Sequence, residues 1–153
     1  RRDCGLRRDG HVVMVIDTSA IVAILFNEPD QRRFSEAIEA APVRVLSAVT
    51  RVEASFVVEG RKQDAGRERL DRFLALVDPE IVAVTSQHAD LAITAFRRFG
   101  KGRHRAGLNI GDCFAYALAK ATDLPLLFKG DDFVHTDIRV ALAIPGQASG
   151  RAG

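Results

Sequence analysis

The chain has 153 residues, 47% of them apolar and 27% charged, which suits one globular domain with a sizeable core and excludes a disordered or fibrous class. Its formal charge of +2 is local: four arginines and two aspartates within residues 1–13 account for it, leaving 18 basic and 18 acidic residues from Met14 onward. A neutral body excludes general coating of nucleic acid but leaves room for a local basic patch. Cys4 and Cys113 form no close pair, so neither a disulfide scaffold nor a zinc site is indicated, and a reducing cytoplasm fits. The longest apolar stretch, 12–26, is too short to span a membrane and carries Asp17. It is not read as a signal peptide, because Asp17 interrupts it and no small-residue cleavage site follows.

Residues 1–13 read as an extension outside the fold, since Met14 is the one methionine and stands at the start of the periodic pattern. Residues 12–16 form a β-branched run suited to a strand buried on both faces. Helices are expected over 19–26 and 29–40, the second with Pro29 near its first turn, and a short strand over 43–46. A helix over 48–63 places Val49, Val52, Phe56 and Val57 on one face, and another follows over 66–77. Then come a strand at 81–84, a helix at 87–99, the glycine-rich basic loop "GKGRHRAGL", a helix at 112–122 and a strand at 125–128. Residues 138–144 read as a last edge strand, and 145–153 as a disordered tail. Strands separated by helices predict an α/β fold, a mainly parallel sheet covered on both faces, over residues 14–144.

Ligands of such sheets bind outside the carboxyl ends of the strands. Asp17 follows the first strand directly; Asp131 and Asp132 follow "PLLF"; Asp112 opens a helix whose start can face the same edge. Glu53 falls within the apolar stripe of its helix, where an unpaired charge is costly. Each has a structural alternative. Asp17 and Asp131 could cap helices or form turns, Asp112 could share a capping box with Asn109, and Glu53 could pair with an arginine. Four such carboxylates without a matching set of cations nevertheless repel one another unless a cation joins them, and all-oxygen ligands point to magnesium or manganese.

The segments "MVIDTSAIVAIL", "RVEASFVVEGR", "LNIGDCFAYALAK" and "PLLFKGDDFVHTDI" occur in the order of the PIN-domain ribonucleases, and within them the chain resembles the VapC toxins of toxin–antitoxin pairs. The resemblance runs from Met14 to about Ile144. It implies a three-layer α/β/α sandwich and a magnesium-dependent endoribonuclease, with manganese able to substitute. By motif the family's acidic positions fall on Asp17, Glu53 and Asp112 as catalytic metal ligands. The last one departs from the pattern: Phe128 stands where a threonine is common and Gly130 where the acid would fall. A bulge at Lys129–Gly130 would return Asp131 to the site and leave Asp132 as a cap or turn former. The resemblance also implies a homodimer, and an antitoxin peptide in an apolar groove around Ile21, Val22, Ile24, Leu25, Phe56 and Val57.

The run Arg97, Arg98, Lys101, Arg103, His104 and Arg105 suits contact with an RNA backbone, Lys101, Arg103 and Arg105 above all, although such runs are often only solvated surface. His104 reads as a loop residue rather than a general acid, Phe114 and Tyr116 as core, and Cys113 as a small buried residue. Two alternatives remain open: a receiver-like regulatory module using Lys129, and an inactive scaffold of the same fold that only binds a partner. The receiver reading lacks the acidic pair at the first strand and an aspartate after "IVAV".

Overall fold

The computed structural model describes residues 13–142. Four parallel strands, β1 (Val13–Ile16), β2 (Val43–Ser47), β3 (Glu80–Val82) and β4 (Leu126–Leu127), lie in the order β3-β2-β1-β4. Side chains alternate across β1, and this divides the core in two. Val13 and Val15 pack with α4 (Ser86–Phe99) and α5 (Ile110–Thr122) through Ala92, Ala95, Phe99, Cys113 and Leu118. Met14 and Ile16 face α1 (Thr18–Leu25), α2 (Gln31–Ala40) and α3 (Ala48–Val77) through Ala20, Ile21, Phe34, Ile38, Ala54, Val58 and Leu70. The result is the three-layer α/β/α sandwich expected from the sequence. No helix among the described residues is long and apolar enough to cross a membrane.

Several boundaries differ from expectation. Val13, assigned to the extension, is the first residue of β1 and pairs with Val43. The two helices expected over 48–63 and 66–77 run on as α3, broken only where Gln63 leaves helical geometry (φ 50°, ψ −132°). Its buried face is Thr50, Ala54 and Val58, while Val52 and Phe56 are exposed, so the apolar stripe is rotated from the one the sequence suggested. The last edge strand shortens to a single bridge between Leu126 and Val140, because Leu126 N–H and C=O take up Arg139 O and Ala141 N and nothing beyond continues the ladder among the described residues. Residues 1–12 and 143–153, and with them most of the extension, Cys4 and the tail, lie outside the described residues.

The strand order fixes where a site can be. The chain steps outward from β1 to β2 to β3, then returns to the other side of β1 as β4. The crevice beyond the carboxyl ends of β1 and β4 is therefore the switch point of the sheet.

Candidate functional site

Asp17 sits at that switch point, one residue past β1, with its N–H bonded to Leu127 O of β4 at 2.9 Å. It is 2% exposed. Its Oδ2 accepts from Ser19 N at 3.0 Å and Ser19 Oγ at 2.6 Å, so it caps α1 as the structural alternative required. Its Oδ1 is buried and has no hydrogen-bond partner. A capping role does not explain that second oxygen. Ser19 Oγ in turn accepts from Lys129 N at 2.9 Å, tying the end of β1 to the turn after β4.

Glu53 is half-buried in the second turn of α3, and its Oε1 accepts from Thr18 Oγ1 at 2.5 Å rather than pairing with an arginine. Asp112 is the third residue of α5. Its Oδ2 accepts from Asn109 N at 3.0 Å while Asn109 Oδ1 accepts from Asp112 N at 2.9 Å, a complete capping box. The two helices approach closely because position 111 is glycine: a Cβ there would stand 2.0 Å from Glu53 Oε2 and 2.5 Å from Oε1. The hydrogen bonds thus engage one oxygen of each carboxylate and hold all three on one cleft.

That cleft, of about 430 Å³, is lined by Asp17, Thr18, Ser19, Glu28, Glu53, Arg61, Asn109, Asp112 and Lys129 among others. Four carboxylates face two cations in it. Burial pushes Asp17 up to about 6, the nearby Glu53 charge adds to this, and the Ser19 hydrogen bonds oppose it. Asp112 is pushed up to about 7, first by burial and then by the charge of Asp17, with smaller contributions from Glu53 and Asp132 and an opposing bond from Asn109. Mutual influence of this kind means that the carboxylates share one low-dielectric region. No three acidic, histidine or cysteine side chains among the described residues yet converge to metal-ligand spacing. The donor set is nevertheless that of a hard divalent cation, and the orphaned Asp17 Oδ1 and the net negative lining are what such an ion would satisfy.

Asp131 and Asp132 are both exposed beyond β4, after Gly130 at φ 95°, a conformation suited to glycine. Of the two it is Asp132 whose charge bears on Asp112. Asp132 precedes the 3-10 turn at Phe133–His135 but makes no side-chain cap bond, contrary to the capping role expected of it. Its carboxylate is thus not consumed by local structure.

The basic segment forms the turn between α4 and α5, closed by Lys101 N to Leu108 O and Leu108 N to Phe99 O, both at 3.0 Å. Lys101, Arg103 and Arg105 are exposed, outside the lining of the carboxylate cleft, and Arg103 lies over the Phe96 ring at 5.1 Å. His104 is structural: its Nδ1 accepts from Ala106 N at 3.1 Å and its ring meets Phe99 edge-on. Tyr116 is core, donating to Asp137 at 2.7 Å, and the buried Cys113 thiol is pushed up to about 11 by burial. The Lys129 ammonium pairs with Glu28 rather than with Asp17, which removes the feature that favoured a receiver-like module. Of the apolar residues assigned to a groove, Ile21 and Val22 are buried in the core, and Ile24, Leu25 and Val57 are half-buried. Phe56, 74% exposed, is the one that offers a surface. Sequence reasoning missed Gly111 and Arg61, whose places depend on how α3 meets its neighbours.

Comparison with known proteins gives the family and the fold. The PIN domain profile matches residues 14–139. Ribonuclease VapC30 of Mycobacterium tuberculosis is 52% identical over 132 residues, 86% of this chain and 100% of that protein. The structure of Mycobacterium tuberculosis VapC20, described as a sarcin-ricin loop cleaving toxin, superposes with a TM-score of 0.66 at 16% identity, covering 82% of this chain and 95% of its own. VapBC2 from Rickettsia felis, bound to a DNA fragment from its promoter, superposes with a TM-score of 0.66 at 14% identity, covering 84% and 96%.

Proposed function

Since the chain belongs to the PIN-domain family and, within it, to the VapC ribonucleases, we propose that it cleaves RNA phosphodiesters with the help of a divalent cation held in the carboxylate cleft. The buried, unpartnered Asp17 Oδ1 carries this reading, because a carboxylate oxygen is costly to bury without a partner and no structural role at this position needs it. Asp17, Glu53 and Asp112 would hold the ion, with a fourth acid from the turn after β4. Asp131 was expected there; the charge acting on Asp112 favours Asp132. Magnesium or manganese in that place would supply charge neutralisation at the phosphodiester and acidify water for the attack.

The chain's own residues prepare the cleft. Ser19 fixes Asp17 by two hydrogen bonds, Thr18 fixes Glu53 and Asn109 fixes Asp112, so one oxygen of each is turned and the other left for a ligand. Gly111 leaves the space the Glu53 carboxylate needs. The low-dielectric floor strengthens every electrostatic contact made there. Lys101, Arg103 and Arg105 would add sequence-independent attraction for the RNA backbone from the neighbouring turn.

The VapBC2 likeness supports an antitoxin partner for this chain as the toxin, and the exposed Val52 and Phe56 on α3 are the apolar surface we assign to it. Homodimerisation would cover the exposed Ile93, Phe96 and Ile110, which border a separate apolar hollow between α4 and α5. The function is tested by cleavage of single-stranded RNA with and without magnesium, using Asp112→Asn as control. Metal-dependent cleavage lost in the variant is expected. Equal cleavage by both proteins would overturn the reading.

A further inference from the structure

The cleft has two cations in its lining, and they are held differently. Lys129 is neutralised by Glu28. Arg61 makes no ion pair among the described residues; its guanidinium instead lies over the ring of Phe26, 5.0 Å from the centroid. Glu53, Val57 and Arg61 are four residues apart along α3, so they share one helix face, and all three line the cleft. Arg61 therefore stands two turns, about 12 Å of helix, beyond the carboxylate.

The ring contact leaves the guanidinium without an anionic partner among the described residues. Attraction to an aromatic ring does not consume a guanidinium's N–H donors, which can match two phosphate oxygens. Phe26 is a firm seat for it. Its N–H bonds to Val22 O at 3.0 Å at the end of α1, and its half-buried ring packs against the core. The need is also clear from the charges. Four carboxylates against two cations would repel a polyanion, and the cation not already paired is Arg61.

On the ribonuclease reading given above, we infer that Arg61, seated on Phe26, grips a phosphate of the RNA flanking the one to be cleaved and so holds the strand against the carboxylate cleft. The group contacts a part of the substrate that does not react. Its contribution is then made equally in the ground and transition states and falls on KM rather than kcat.

The test compares the parent chain with Arg61→Ala, Arg61→Lys and Phe26→Leu. Cleavage of a fluorescein-labelled single-stranded RNA of random sequence gives kcat and KM. Fluorescence anisotropy across a potassium chloride series, in an Asp112→Asn background with magnesium present, gives the salt slope. Arg61→Ala is expected to lower kcat/KM roughly tenfold, through KM, as for loss of a hydrogen bond to a charged group. It should also flatten the salt slope by about 0.7, the value of one phosphate contact on a single strand. Arg61→Lys should keep the slope but lose part of the affinity, and Phe26→Leu should fall between the parent and Arg61→Ala. An unchanged KM and slope in a normally melting Arg61→Ala protein would overturn the inference, and so would a loss confined to kcat. If Asp112→Asn cleaves as fast as the parent, the carboxylate reading fails and this inference with it; if Asp112→Asn is inert and Arg61→Ala unimpaired, only the inference fails.

Discussion

The carboxylate of Glu53 occupies the space that a side chain at Gly111 would need, with Oε2 only 2.0 Å from where a Cβ would be placed. Two helices far apart in the chain thus meet through an acid and a missing methyl group. Gly111→Ala is expected to push the Glu53 carboxylate aside at little cost to folding, since the displaced atoms end a flexible side chain and alanine favours the helix by about 1 kcal/mol. Cleavage should fall tenfold or more, on the order of 1.4 kcal/mol of transition-state stabilisation. Steady-state kinetics beside a thermal melt will check this, and unimpaired cleavage by the alanine variant would show that the position of Glu53 is not critical.

Asp17→Asn and Asp112→Asn should each abolish cleavage while leaving the metal-free protein at least as stable. Both carboxyls titrate higher in the folded protein, near 6 and 7, than the roughly 4 of an unfolded aspartate. Between pH 4 and 7 these two groups therefore hold protons in the folded state that they have released in the unfolded state, and their contribution to stability falls as pH rises through that window. Asp17→Asn should remove part of this slope: indistinguishable from the parent near pH 4, and more stable by on the order of 2 kcal/mol at pH 7.5 without metal. Denaturant titrations at both pH values decide it. An Asp17→Asn protein whose stability changes with pH just as the parent's does would contradict the burial argument, since the raised carboxyl is the only titrating group that the substitution removes.

The acid after β4 can be assigned by calorimetric titration with manganese. Asp132→Asn is expected to weaken binding several-fold, because its charge already acts on Asp112, while Asp131→Asn leaves the affinity near that of the parent. The loss should be smaller than for Asp17→Asn, since water can replace a peripheral ligand. If Asp131→Asn is the damaging change, the register at this turn is that of the glycine bulge expected from the sequence.

Removing Arg103 and Arg105 together, by Arg103→Ala with Arg105→Ala, should weaken RNA binding for all sequences alike and flatten the salt slope by roughly one unit per lost phosphate contact. An unchanged slope would reduce the turn at 100–108 to solvated surface.

The fold was legible in the sequence because each layer writes its own period. The β-branched run before Asp17 and the apolar spacing of α4 and α5 need no distant information to be read. The carboxylates were legible for a related reason, as charges set where burial is expected, and Asp17 and Asp112 prove to be both caps and members of one cleft. The rotated stripe of α3 was not legible. Val52 and Phe56 look like core in a helical pattern, and only the meeting of α3 with its neighbours leaves them outside. Arg61 and Gly111 carry no local signal at all, since a guanidinium over Phe26 and a vacant Cβ beside Glu53 are relations between separate elements. At Asp131 and Asp132 the sequence offers two adjacent acids, and no local pattern tells them apart.

The pairing of β1 with β4 also sets a schedule. Asp17 N–H bonds to Leu127 O, and Ser19 Oγ takes the N–H of Lys129, so the crevice cannot close until the chain has been made to nearly residue 130. Before then a nascent chain on the ribosome has β1 unpaired along one edge and Asp17 open to water, with Asp112 and its helix lacking the strand that completes their layer. Pairings this distant in sequence form late. The crevice that gathers the carboxylates is thus a product of tertiary closure, completed when β4, the last strand among the described residues, docks beside β1.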